Sequence, residues 1–182
     1  IRQMFIENGL PQDLVLLPFA ESGFNVRAYS RAGAAGLWQF MPFTGRKYGL
    51  TVDWWIDERR DPYLATEAAI RYLTDLHELF GDWYLALAAY NAGEGKVGRC
   101  LRLTEADCFF DLVDRNHTMS RKYRLRRETV QYVPKFIAIS KIFQNLEELG
   151  FEPVNWDQAP EVVHVLVAGG TDLLALAKAG DM

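Results

Sequence analysis

Glu21 stands in an unusual place for a carboxylate, inside the apolar run Leu17-Pro18-Phe19-Ala20-Glu21-Ser22-Gly23-Phe24. Burying an unpaired carboxylate is costly, so the side chain has three outcomes. It turns to solvent, it pairs with a base, or it sits in an apolar cleft as the neutral acid, desolvation lifting its pKa from the ordinary ~4.3. A carboxylic acid protonated near neutral pH is what glycosidic cleavage requires, because the departing oxygen must receive a proton. The run alone favours a structural glutamate, and two other stretches alter that balance. Between Ser30 and Pro42, small residues allow backbone or ligand to approach closely. There Gln39 and Met41 could set a hydrogen-bonding amide beside a soft apolar contact; the plain alternative is a tightly packed helix with Met41 in the core. Within Ala88-Ala89-Tyr90-Asn91-Ala92-Gly93-Glu94-Gly95, Tyr90 and Asn91 precede a glycine turn and could bind sugar hydroxyls or an acetamido group. The plain alternative is a helix end capped by Asn91.

The elements that must position these residues are mostly helical over the first ~150 positions. A first helix is expected from Ile1 to Asn8, stopped by Gly9, and a second from Pro11 through Leu14, Leu17 and Phe19 to Glu21, stopped by Gly23. A third segment is expected from Ala34 to Met41, ending before Pro42. The clearest helix starts at Asp61, which caps it, with Pro62 in its first turn and Ala65, Ala69, Tyr72, Leu73, Leu76 and Phe80 at helical spacing. Gly81-Asp82 breaks it, and Trp83 to Asn91 reads as a short, almost wholly apolar, central helix. Gly93-Glu94-Gly95 reads as a turn. Glu128 to Leu149 reads as a long amphipathic helix with Tyr132, Phe136, Ile139, Phe143 and Leu146 on one face. Pro134 falls near its first turns, where it does least harm, and Gly150 ends it. Composition then changes: Phe151 to Pro160 is a linker or strap, Val162 to Val167 is strand-like, Gly169-Gly170 turns, and Leu173 to Ala179 forms a short helix. The expected division is therefore a helical domain over 1–150 and a linker with the start of a C-terminal extension over 151–182.

Bulk properties narrow the classes. The 182 residues are 49% hydrophobic and 24% charged, as in folded globular chains, with no repeat and no low-complexity segment. Aromatic content is 13% with five tryptophans, which fill cores first and line a carbohydrate groove second. The net charge of −4 argues against a nucleic-acid binder. One basic run, Arg121 to Arg127, reads as a solvated face before it reads as a contact to an anionic polymer. Cys100 and Cys108 are close enough for a short disulfide loop and equally compatible with two free thiols. His77, His117 and His164 are scattered, and no Cys/His cluster suggests a metal. No segment approaches the ~20 apolar residues that span a bilayer. The ends at Ile1 and Met182 have the character of an excised fragment, so the lack of a signal sequence says little about compartment.

Four blocks in order and register carry a resemblance. Glu21-Ser22, then Gly36-Leu37-Trp38-Gln39-Phe40-Met41-Pro42, then Ala89-Tyr90-Asn91-Ala92-Gly93, then Arg127-Glu128-Thr129-Val130-Gln131-Tyr132-Val133-Pro134 resemble the signature of family 1 lytic transglycosylases, which have a goose-type-lysozyme-like catalytic domain. The Tyr-Val-Pro-Lys ending is most like the membrane-bound murein lytic transglycosylase D branch. The resemblance covers roughly 1–148. It implies a mainly α, lysozyme-like domain with a catalytic cleft. It implies Glu21 as catalytic acid/base, followed by Ser22 as in the family's Glu-Ser pair. It places Ser30 near the reacting sugar, Gln39 and Met41 in contact with the glycan, Tyr90 and Asn91 close to the acid, and Glu128 and Tyr132 on a second cleft wall. Trp38 departs from the pattern, many members carrying a smaller apolar residue there, and the Cys100 to Asn116 region does not align. Peptidoglycan strands are the implied substrate, with no cofactor or metal, no nucleic acid, a monomer, and a bacterial periplasmic or envelope setting, lipid-anchored in a longer protein. A lysozyme-type hydrolase, with Asp57, Glu58 or Asp61 activating water, and a non-catalytic glycan-binding module are the alternatives.

Overall fold

Among the described residues, 1–155 and 167–179 of the computed structural model, the chain is helical with almost no extended pairing. It forms α1 (Arg2–Glu7), α2 (Leu17–Ser22), α3 (Pro42–Lys47), α4 (Pro62–Phe80), α5 (Trp83–Ala92), α6 (Glu94–Thr104), α7 (Phe109–Arg115), α8 (Arg127–Gln144) and α9 (Leu173–Ala179). The α4 start follows the sequence: Asp61 accepts from the N–H groups of Tyr63 and Leu64, and Pro62 takes the first turn, where no N–H is needed. Gly81, at φ 66°, ends it. Asp82 then caps α5 by accepting from Leu85 N at 2.7 Å. Leu85 to Ala89 are all buried, because α5 packs against α4, α6 and α8 at once. A helix so enclosed has no polar face to keep.

Four expected elements differ. The stretch Ala34 to Met41 is not a helix but a loop closed by the isolated bridges Tyr29↔Ala35 and Ala35↔Phe40. Gly33, Gly36 and Gln39 all have positive φ, which a right-handed helix excludes. The second expected helix splits into a 3-10 segment, Gln12–Leu16, and α2; Pro18 has no N–H to bond back to Leu14, which interrupts a continuous ladder. Gly93 makes the expected turn alone, at φ 89° and ψ 139°, and α6 starts at the next residue. The last long helix ends at Gln144 rather than Leu149, and turns carry the chain to Gly150. The C-terminal helix Leu173–Ala179 is present, whereas the strand expected from Val162 lies outside the described residues except for Val167.

Trp38 is fully buried in the core, stacked on Phe5 at 5.7 Å, with Nε1 donating to Thr66 Oγ1 at 2.9 Å. Its size is therefore a packing choice. Trp54 and Trp55 are exposed. Among the described residues no helix is long and apolar enough to cross a membrane.

Candidate active site

Glu21 is the next-to-last residue of α2, and Gly23 closes the helix in the left-handed conformation with its N–H on Pro18 O. That tight ending points the last turn into a groove between α2, α5, α7 and α8. Glu21, Asn91, Val113, Glu128, Tyr132 and Lys135 are among the lining residues. The phenol of Tyr132, on α8, donates to Glu21 Oε1. Lys135, one turn on, donates to Ala20 O at 3.1 Å. Burial pushes the Glu21 carboxyl up to about 7. The Tyr132 hydrogen bond and the Lys135 charge pull it down, and the Glu128 carboxylate adds to the rise. Burial dominates, as expected where most of the contact is apolar and the one partner is a neutral phenol. Of the three outcomes open to Glu21, the structure has the third, a desolvated acid. Tyr132 and Tyr90 are themselves pushed well above the ordinary phenol range by burial and by Glu21, so both remain proton donors.

The other singled-out residues divide into two groups. Asn91, Glu128 and Tyr132 line the groove with Glu21. Asn91 Oδ1 accepts from Thr129 Oγ1 at 2.8 Å, which leaves the Asn91 amide nitrogen as the polar atom available to a ligand. Ser22, Ser30, Gln39 and Tyr90 spend their polar atoms on the backbone of the 28–41 loop. Ser22 Oγ donates to Leu37 O at 2.9 Å, Ser30 Oγ accepts from Ala34 N at 3.0 Å, Gln39 Nε2 donates to Gly36 O at 2.8 Å, and Tyr90 Oη donates to Trp38 O at 2.8 Å. Met41 is exposed at the start of α3 rather than packed in the core. Cys100 is buried, Cys108 is exposed, and the two are free thiols, so the short disulfide loop is not formed.

Arg59 was not singled out by sequence reasoning, and it organises that loop. Its guanidinium is almost wholly buried, grips Asp57 with two bonds of 2.7 Å, and donates at 2.8 Å to both Gly33 O and Phe40 O. The pairing holds Asp57 below the ordinary carboxylate range. A Cβ on Gly36 would lie 1.7 Å from Arg59 O, so only glycine fits there. The signal was the charged run Asp57 to Asp61, but nothing in its spacing says which charge turns inward. The same run answers where the other carboxylates go. Asp57 is held by Arg59, Glu58 accepts from Thr51 N at 2.6 Å, and Asp61 caps α4. Among the described residues no group of three or more His, Cys, Asp or Glu stands together as a metal site.

The mostly helical fold, with Glu21 in an open groove, is that of a lysozyme-like domain, as the likeness to a solved lytic transglycosylase shows. The chain belongs to the transglycosylase SLT domain family, whose pattern matches residues 3–109. It is 37% identical over 177 residues to membrane-bound lytic murein transglycosylase D of Escherichia coli, covering 97% of this chain and 37% of that protein. It is 32% identical over 139 residues to membrane-bound lytic murein transglycosylase F of Maricaulis maris, covering 64% of this chain and 29% of that protein. Its structure superposes on an inactive mutant of lytic transglycosylase Slt from Pseudomonas aeruginosa with a TM-score of 0.61 at 27% identity, over 86% of this chain and 25% of that one. The chain thus spans 37% of the length of the Escherichia coli relative.

Proposed function

We propose that this chain is the catalytic part of a peptidoglycan lytic transglycosylase, cutting the β-1,4 bond between N-acetylmuramic acid and N-acetylglucosamine without consuming water. The observation that carries this is the Glu21 carboxyl, desolvated to a pKa of about 7 in an open groove and held by Tyr132. Family membership and the names of the relatives support the same substrate. Glu21, as acid, protonates the glycosidic oxygen as the C1–O bond breaks, with the substrate's own acetamido group assisting departure. Glu21, now carboxylate, takes the proton from the muramoyl C6 hydroxyl, whose oxygen bonds to C1 and closes a 1,6-anhydro ring. The attacking hydroxyl is already part of the substrate, which lowers the entropic barrier. A pKa near neutrality suits a group that must do both jobs. Around it, Asn91, Glu128 and Tyr132 contact or position the sugar. Ser22, Ser30, Gln39, Met41 and Tyr90 shape the adjoining loop.

Common glycosidases use two carboxylates. A hydrolase would need one to activate water; Asp57, Glu58 and Asp61 are engaged in the loop and helix cap described above, which leaves Glu128 as the second carboxylate of the groove, so the identity of the product separates the two readings. Residues 1–150 form the catalytic domain and 151–182 a linker with the start of an extension. The reading takes the enzyme as a monomer. The substrate and the membrane-bound relatives favour the periplasm or cell envelope, with any lipid anchor in a longer protein. Mass spectrometry of products released from purified sacculi tests the proposal: 1,6-anhydromuramoyl ends are expected. Reducing-end muramic acid as the main product would establish a hydrolase instead.

A further inference from the structure

Asn91 and Glu128 line not only the Glu21 groove but also a second, smaller cavity, so the two adjoin across these residues. Ala92, Thr129, Lys96 and Arg126 complete the second cavity. Lys96 lies in the first turn of α6, and Arg126 is the residue before α8. Neither forms an ion pair among the described residues. Lys96 Nζ reaches only Lys122 O, at a long 3.4 Å. The cavity therefore gathers two cations that form no ion pair around one carboxylate, an excess of positive charge in a chain whose net charge is −4. Like charges brought together without a counter-ion repel, and an anion placed between them relieves that repulsion.

A glycan backbone of N-acetylated sugars is neutral. In the substrate class proposed above, on which this inference rests, charge resides on the lactyl arm at muramoyl O3. That arm ends in its own carboxylate, or in those of a short peptide where one is attached. We propose that the Lys96–Arg126 cavity binds a carboxylate on the muramoyl lactyl arm of a strand lying in the Glu21 groove. The cavity then distinguishes muramoyl-containing strands from other β-1,4-linked N-acetylglucosamine chains.

Binding can be measured by calorimetry with the E21Q protein, which leaves the glycan intact, and with E21Q carrying K96Q and R126Q. Three tetrasaccharides serve as probes: one with stem peptides, one with free lactyl carboxylates, and chitotetraose, which has no lactyl arm. Loss of the cations is expected to weaken carboxylate-bearing probes roughly fivefold per cation and to leave chitotetraose unchanged. A loss confined to the free-lactyl probe assigns the contact to the lactyl carboxylate, a loss confined to the first assigns it to the peptide, and an equal loss on both assigns it to whichever carboxylate ends the arm. No change, or the same loss with chitotetraose, overturns the proposal while leaving the transglycosylase assignment standing. A similar loss from R121Q, outside the cavity, also overturns it, because diffuse attraction would then explain the effect. Failure of E21Q to bind any probe removes the substrate assignment and this inference together.

Discussion

Two walls hold Glu21 and use their polar residues in opposite ways, the first including the 28–41 loop, which does not itself line the groove. On one wall, α2 and the 28–41 loop turn theirs onto nearby main chain, with Ser22 on Leu37 O and Gln39 on Gly36 O, and α5 adds Tyr90 on Trp38 O. On the other wall, α8 sends its side chains across to another element. Tyr132 reaches Glu21, Lys135 reaches Ala20 O and Thr129 reaches Asn91. The first wall builds a fixed cradle; the second sets the protonation and orientation of what the cradle holds. Motif residues on the first wall thus have a structural part to play, and damage to the two walls should read out differently: as stability on the first, as pH dependence on the second.

The largest effect is expected from Glu21→Gln, which removes the acid itself. Turnover of purified sacculi should fall by roughly 10³-fold, the middle of the range for a general acid; unchanged turnover would refute the assignment. The same variant has a stability signature. Glu21 has a folded pKa of about 7, above its unfolded value, so its favourable contribution as a neutral acid is complete below the unfolded pKa and is lost as pH rises through 7. At pH 8 the wild-type protein carries a buried carboxylate that glutamine lacks. Urea unfolding should show E21Q the more stable there by up to about 3 kcal/mol, with the gap closing by about pH 4.

Gly36→Ala should come next, acting on the cradle alone. Its Cβ would collide with the Arg59 carbonyl at a φ of +78°, and a cost of about 3 kcal/mol is expected from backbone strain and overpacking. A urea midpoint equal to wild type would show the loop is more compliant than its contacts indicate. Tyr132→Phe should do the reverse, with little loss of fold and about a tenfold loss of kcat/KM at neutral pH. The Tyr132 bond lowers the Glu21 pKa, so its removal should shift the alkaline limb of the pH profile to higher pH. A limb that stays in place would mean that the phenol does not set the acid. The smallest effect belongs to Ser22→Ala, about 1 kcal/mol by thermal unfolding for one lost hydrogen bond, with the pH profile unmoved.

Much of this was legible in the sequence where a single local rule governs the outcome. Asp61 and Pro62 had to start α4, and an all-apolar run from Trp83 had to be central, because capping and burial are decided within one segment. The 28–41 loop was not legible as a loop. Gly-Ala-Ala-Gly-Leu-Trp-Gln has helical composition, and its true shape depends on Arg59, a residue far along the chain whose inward turn leaves no local mark. Glu21 was legible as a candidate, but its side-chain partner Tyr132 lies 111 positions away and could not be matched to it. Lys96 and Arg126 were invisible as a pair for the same reason, being 30 positions apart in the chain and joined only by a shared cavity.

That separation between Glu21 and Tyr132 has a consequence for how the domain is born. Glu21 leaves the ribosome long before α8 does. Until α8 docks, one wall of the groove around the carboxyl is missing, and a carboxyl left in water is ionised at neutral pH. A chain halted after α7 would display the Glu-Ser, Gly-Leu-Trp-Gln and Tyr-Asn blocks in full, yet hold no proton to give. Placing the last tuning residues in the last large helix works as a safety catch: the cutting group is armed only when the whole domain has been delivered.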